Sequence, residues 1–357
     1  MSNPMKGNRR LDGVASLACV LVILLVSAKR LCAEEYRFVA QWGKNGTGNG
    51  QFTHPVSIAV GQSNVVYVAD QENHRIQKFN GQGEFMATWG KRAIGRSVGY
   101  GGTGNSEGQF RVPTGVSCDD AEKIYVSEWG KSRVQVFGPD GGFLYTWGGQ
   151  GKDEGLFAFP TGIAAGRGRF VYVADHDNGR VQKFSEEGAF VAQFRQTGCR
   201  PYGVAIAPDG HVFVIDTRGR YWVFTAEGEL VGWRGRGTRV EDSAVRRTGW
   251  FGPEETFSYQ KQVGFWVETG AFDGDGEFYE PRGIAVDLQG NVFVADTRNH
   301  RIQKFAPNGT FLCKWGARGK KPGQFDFPYG VAVDGDDNVY VADKYNNRIQ
   351  KFTPSSN

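Results

Sequence analysis

Six prolines, Pro55, Pro113, Pro160, Pro201, Pro281 and Pro328, are each followed fifteen residues later by an acid: Asp70, Glu128, Asp175, Asp216, Asp296 and Asp343. The intervals between the prolines are unequal, yet the offset never changes. That is the mark of a repeated supersecondary unit rather than of one long motif. Around three of the acids the strings are nearly identical: VADQENHRIQKF (68–79), VADTRNHRIQKF (294–305) and VADKYNNRIQKF (341–352). Five of the prolines follow a Gly-x-Phe, as in Gly50-Gln51-Phe52; the fourth unit has Gly198 where the Phe would be.

Each unit reads as four short strands. In the fifth they are GIAVD (283–287), NVFVAD (291–296), RIQKF (301–305) and TFLCKWG (310–316), separated by turns rich in Gly, Asn, Asp and Pro. Apolar residues alternating between such turns predict antiparallel hairpins. The 52 glycines and 13% aromatics fit an all-β chain. A four-stranded unit at this period is a propeller blade. The sixth unit stops after its third strand. A matching fourth strand stands at the other end: RFVAQWG (37–43) resembles AFVAQF (189–194) and EFMATWG (84–90). The expected fold is therefore an all-β, six-bladed β-propeller of four-stranded antiparallel blades, the last blade closed by the N-terminal strand.

PxGIAVD, NVYVAD and NxRIQKF in series resemble the NHL repeat family over about residues 36–352. The resemblance implies a six-bladed propeller. It also admits a metal-dependent lyase or lactonase, or an intracellular scaffold for RNA or protein, as alternatives to a plain binding module.

The first 33 residues differ from the rest. Lys6, Arg9 and Arg10 precede an uncharged apolar run, 14–28, with small residues at Ala28 and Ala33 where cleavage could follow. This is the pattern of an export signal, and the run is short for a bilayer span. Lys29 and Arg30 keep an uncleaved membrane anchor open as the alternative. Residues 34–357 are then the propeller, on the exported side: periplasmic, extracellular or anchored facing outside. Cys118, Cys199 and Cys313 are isolated in sequence and imply neither a disulfide framework nor a zinc site. A net charge of +4 over 42 basic and 38 acidic residues does not argue for a nucleic-acid partner.

Each acid is followed by an arginine at the start of the third strand. Asp70 with Arg75, Asp175 with Arg180, Asp296 with Arg301 and Asp343 with Arg348 are candidate pairs that lock a turn by charge-assisted hydrogen bonds. Recurrence in every unit makes them architecture. His74 and His300 share the NHR string, but the equivalent positions hold Ser132, Gly179 and Asn347, so no three-histidine metal site repeats around the ring. No catalytic, metal or cofactor set is expected. Departures from the repeat fall between blades, in 91–107 and 235–275. The second insert carries Trp250, Phe251, Phe257, Tyr259, Phe265 and Trp266, and the first Arg92 and Arg96. Both inserts belong to one face, and loops on a rigid scaffold are where function is placed. These eight residues are the candidate binding set. The expected function is an exported, non-enzymatic NHL-type propeller that binds a protein, peptide or glycan there.

Overall fold

A computed structural model describes residues 36–90, 106–166, 168–235 and 272–355. They form six antiparallel sheets of four strands each. Blades I to V run in chain order from their innermost to their outermost strand: 55–89, 113–148, 160–195, 201–234 and 283–315. Blade VI takes Pro328–Val333, Val339–Asp343 and Arg348–Pro354, and its outermost strand is the N-terminal Tyr36–Trp42. Trp42 pairs with Ile349 and Tyr36 with Pro354. The expected closure of the ring is thus present, and it removes two sheet edges that would otherwise lie open. Among the described residues no helix is long and apolar enough to cross a membrane.

The core is distributed between blades. Phe52, Val66, Val68 and Phe79 of blade I pack with Ala332, Tyr340 and Ile349 of blade VI. Tyr36 of the closing strand packs with Phe293 and Ile302 of blade V and Phe352 of blade VI. Alternating side chains of a blade face opposite neighbours, so each blade needs both to bury its apolar faces. The Gly-x-Phe preceding the proline supplies a wedge between blades. Gly43 ends the closing strand at φ +97°, and a Cβ there would lie 2.5 Å from the Phe52 ring. The glycine therefore answers both the backbone angle and the aromatic that abuts it. Cys118 packs into the cluster between blades I and II, and burial pushes its thiol up to about 12.

The innermost strands surround a narrow central channel. Its lining includes Val56, Thr114, Tyr202, Arg282 and Tyr329 with neighbours from all six blades. Glycine is what permits the closeness. A Cβ at Gly203 would stand 2.6 Å from the Arg282 carbonyl oxygen, and one at Gly283 would stand 2.3 Å from that of Tyr329.

Candidate functional site at the mouth of the channel

The turn between the second and third strands carries the repeat's acid and arginine. In blade V, Arg301 Nε donates to Asp296 Oδ2 at 2.7 Å. Its Nη atoms donate to the carbonyls of Asp273, Gly274 and Glu277. Asn299 and Gln303 donate to the same carboxylate, which also receives the Tyr279 amide. The same pattern recurs with Asp70–Arg75 at 2.7 Å, Asp175–Arg180 at 2.7 Å and Asp343–Arg348 at 2.8 Å. The lattice joins each turn to the segment entering its own blade. Burial raises the Asp70, Asp296 and Asp343 carboxyls, so the hydrogen bonds only partly offset the cost of removing these charges from water.

Blade IV breaks the pattern. Its shortened turn leaves Arg220 Nη2 at 3.9 Å from Asp216. The acid instead accepts the Arg218 amide and Trp222 Nε1, because Trp222 stands where the other blades have Gln. Arg220 stacks over Trp222 and Trp233 at 4.9 and 5.8 Å.

His74 and His300 are turn residues. Both are left-handed, as are Ser132, Gly179, Gly219 and Asn347 at the same position. Each imidazole Nδ1 accepts a backbone amide from the next blade: Val112 to His74 at 3.1 Å and Phe327 to His300 at 3.2 Å. Asn347 Oδ1 does the same for His54 at 2.9 Å. The residues so held, just before the repeat proline, are themselves left-handed: His54, Val112 and Phe327 at φ 58°, 58° and 55°. A β-branched residue in that region is strained, and the cross-blade bond holds it there. Among the described residues no group of three His, Cys, Asp or Glu side chains could hold a metal ion.

One position escapes the repeat. The residue after the proline, at the mouth of the channel, is Val56, Thr114 and Thr161 in blades I to III. In blades IV to VI it is Tyr202, Arg282 and Tyr329. The three large side chains meet. The Arg282 guanidinium carbon lies 4.4 Å from the Tyr202 ring centre and 5.7 Å from that of Tyr329. The two rings are 6.1 Å apart and nearly perpendicular. Lys344 Nζ sits 4.0 Å over Tyr329, and His176 meets the Tyr202 edge at 5.8 Å. His176 Nδ1 donates to the Pro201 carbonyl at 2.9 Å. Burial pulls this imidazole below its ordinary value, which keeps it neutral at physiological pH. The outer rim adds Tyr345, whose ring meets Phe327 at 5.0 Å and His54 at 5.1 Å. A second concavity of about 240 Å³ lies on the same face between blades II and III, under Trp129, Phe159 and Arg111.

The candidate binding residues Arg92, Arg96, Trp250, Phe251, Phe257, Tyr259, Phe265 and Trp266 lie outside the described residues. The described ends of the long insert belong to the scaffold. Gly235 packs against Phe278, and Phe272 and Asp273 supply carbonyls to Asn299 and Arg301. Sequence reasoning passed over Tyr202, Arg282 and Tyr329. The signal was present: one offset, directly after the proline, changes from small to large in three consecutive units.

The NHL repeat family matches residues 52–79, 157–184, 278–305 and 325–352. These are blades I, III, V and VI, the four that keep the complete Asp–Asn–Arg–Gln lattice. Human NHL repeat-containing protein 3 is 30% identical over 105 residues, 28% of this chain and 27% of that protein. The Drosophila melanogaster "Protein brain tumor" is 49% identical over 47 residues, 13% of this chain and 4% of that protein. The matches thus span about a quarter or less of these relatives' lengths. Among solved structures, a streptogramin B lyase superposes with a TM-score of 0.56 at 12% identity, covering 91% of this chain and 99% of the lyase. A Bacteroides thetaiotaomicron protein of unknown function superposes at 0.59 with 16% identity, covering 88% and 76%. At such identities the likeness is one of fold alone. Four repeat matches and six closed four-stranded blades together make this chain an NHL-repeat β-propeller.

Proposed function

We propose that this protein is an exported, non-enzymatic binding module that holds a protein partner on the face around the Tyr202–Arg282–Tyr329 mouth. The observation that carries this reading is the contrast within one repeat. The acid, arginine, asparagine and glutamine of most blades are consumed in scaffold bonds. The position after the proline is diversified in blades IV to VI, and there it gathers two tyrosines and an arginine, residue types enriched at binding hot spots. The 236–271 segment, between blades IV and V in the sequence, carries a further set of aromatics. The apolar N-terminal run supports export.

The test replaces 236–271 by a short glycine–serine linker, leaving 272–275 in place because Arg301 and Asn299 bond to that stretch. A second variant is Tyr202→Ala with Tyr329→Ala. Cross-linking mass spectrometry on the exported fraction of the native host is the readout. Partner cross-links should map to this face in the parent and fall in both variants, with melting temperatures close to the parent's. Unchanged partner cross-links in both folded variants would overturn the proposal.

A further inference from the structure

The buried arginines of the repeat set a standard for what a satisfied guanidinium looks like in this molecule. Arg75, Arg301 and Arg348 each reach one carboxylate oxygen and three carbonyls. Arg282 does not meet it. Its side chain is only 20% exposed, and its Nε has no acceptor. One Nη reaches Glu280 at 3.3 Å, and Glu280 is shared with Arg298 Nε at 3.0 Å. An enclosed donor without an acceptor is costly, so a site that keeps one calls for an acceptor that arrives with a ligand.

The surroundings favour an anion. Lys344 holds its ammonium over the Tyr329 ring, and the exposed Arg200 lies at the His176 rim. Against these stand Glu280, already engaged by two arginines, and Asp177 at the rim, 3.8 Å from His176. The size of the opening limits which anion. The innermost strands of blades IV, V and VI approach so closely that only glycine fits between them at Gly203 and Gly283. A group reaching Arg282 must therefore be small, and the two tyrosine rings wall it into a slot. A carboxylate is planar and matches the guanidinium fork edge to edge.

We infer that the channel mouth is a carboxylate-binding site, with Arg282 as the fork, Lys344 as the second cation and Tyr202 and Tyr329 as walls, and that it takes one acidic group of a peptide. This rests on the proposed binding face and narrows its ligand. The carboxylate has two sources, a Glu or Asp side chain or a free C-terminus, and the probes separate them. Isothermal titration would use acetyl-Gly-Gly-Glu-Gly-Gly-amide, triglycine with a free C-terminus, and the neutral acetyl-Gly-Gly-Gln-Gly-Gly-amide, with inorganic phosphate as a further arm. At least one carboxylate peptide should bind, and the neutral peptide should not. Arg282→Gln should weaken binding about tenfold or more; Lys344→Gln should weaken it less, and serves alone if Arg282→Gln does not fold. Arg37→Gln, on the exposed outer strand of blade VI, should change nothing. Equal binding of the neutral peptide, no binding of either carboxylate, phosphate binding tighter than both, or variants indistinguishable from the parent would each overturn the assignment. These titrations need no cellular partner, so their failure leaves the cross-linking result standing by itself, and the reverse also holds.

Discussion

Arg301 and Arg220 occupy equivalent places and do different work. Arg301 is 8% exposed and bonds to a fully buried Asp296; its loss leaves that buried charge with neutral donors only, from Asn299, Gln303 and the Tyr279 amide, and takes the arginine from the Asp273 and Gly274 carbonyls. Arg301→Ala should cost about 3–5 kcal/mol, the range for removing one partner of a buried pair. Arg220→Ala should cost under about 2 kcal/mol, because Asp216 keeps the Arg218 amide and Trp222 Nε1. Urea unfolding midpoints compare the two directly, and equal losses would contradict the division. His300 allows a test by pH. Burial lowers its pKa from the ordinary value, so the unfolded chain binds the proton more readily than the folded one. Its contribution is then fully present above about pH 6.5 and is lost as pH falls below that. His300→Asn places there the residue that blade VI already uses to hold the His54 amide. The variant should match the parent above pH 7 and lose less stability between pH 7 and 5. An identical acid limb in both proteins would refute this.

At the scale of the blade, the sequence was readable wherever geometry forces a residue type. A left-handed turn position, a wedge between blades and a buried acid facing an arginine leave strings such as VADTRNHRIQKF, and the constant offset to the proline exposed all six units. The closing strand was legible for the same reason: RFVAQWG is a fourth strand that has no third strand before it. The channel mouth was legible only as a change from small to large residues at one offset, Tyr202, Arg282 and Tyr329 after their prolines, because no turn or core demands them. Their meeting comes from three innermost strands converging across residues 202–329, which no local string reports. Blade V shows a further departure. Its first strand is Gly283–Val286, two residues shorter at the start than its counterparts, while Glu280 before the proline is left-handed like His54, Val112, Phe159 and Phe327. Arg282 stands at the entry to that strand, where its amide donates to the Ala295 carbonyl at 3.1 Å, and its guanidinium lies between the two tyrosines. Arg282→Gly, restoring a small residue as in blades I to III, should leave the melting temperature within a few degrees and should open the slot to the neutral peptide. A large drop in melting temperature would mean that Arg282 is scaffold.

At the scale of the whole ring, stability depends on an element far from the others in sequence. Removing 36–43 strips Trp42, which packs against Phe79 and Tyr340, and Tyr36, which stacks on Trp315. It also exposes the edge of Arg348–Pro354. The truncated protein should melt earlier and aggregate, as followed by calorimetry and light scattering, and an unaltered midpoint without aggregation would be incompatible with this closure.

The same clasp has a consequence for kinetics. Gln41 accepts a hydrogen bond from Arg348 across 307 positions of chain. Five blades can zip from neighbouring hairpins, but the sixth waits for an encounter between remote segments. Loop-closure entropy for such a span, compared with a five-residue turn, adds up to about 3–4 kcal/mol to that step. Ring closure should therefore be the slow event in refolding, as non-local pairing generally is. Moving 36–43 behind Pro354 through a tight turn would make the last pairing a hairpin. Stopped-flow refolding of that rearranged chain should be faster than the parent's, while the unfolding rate stays the same.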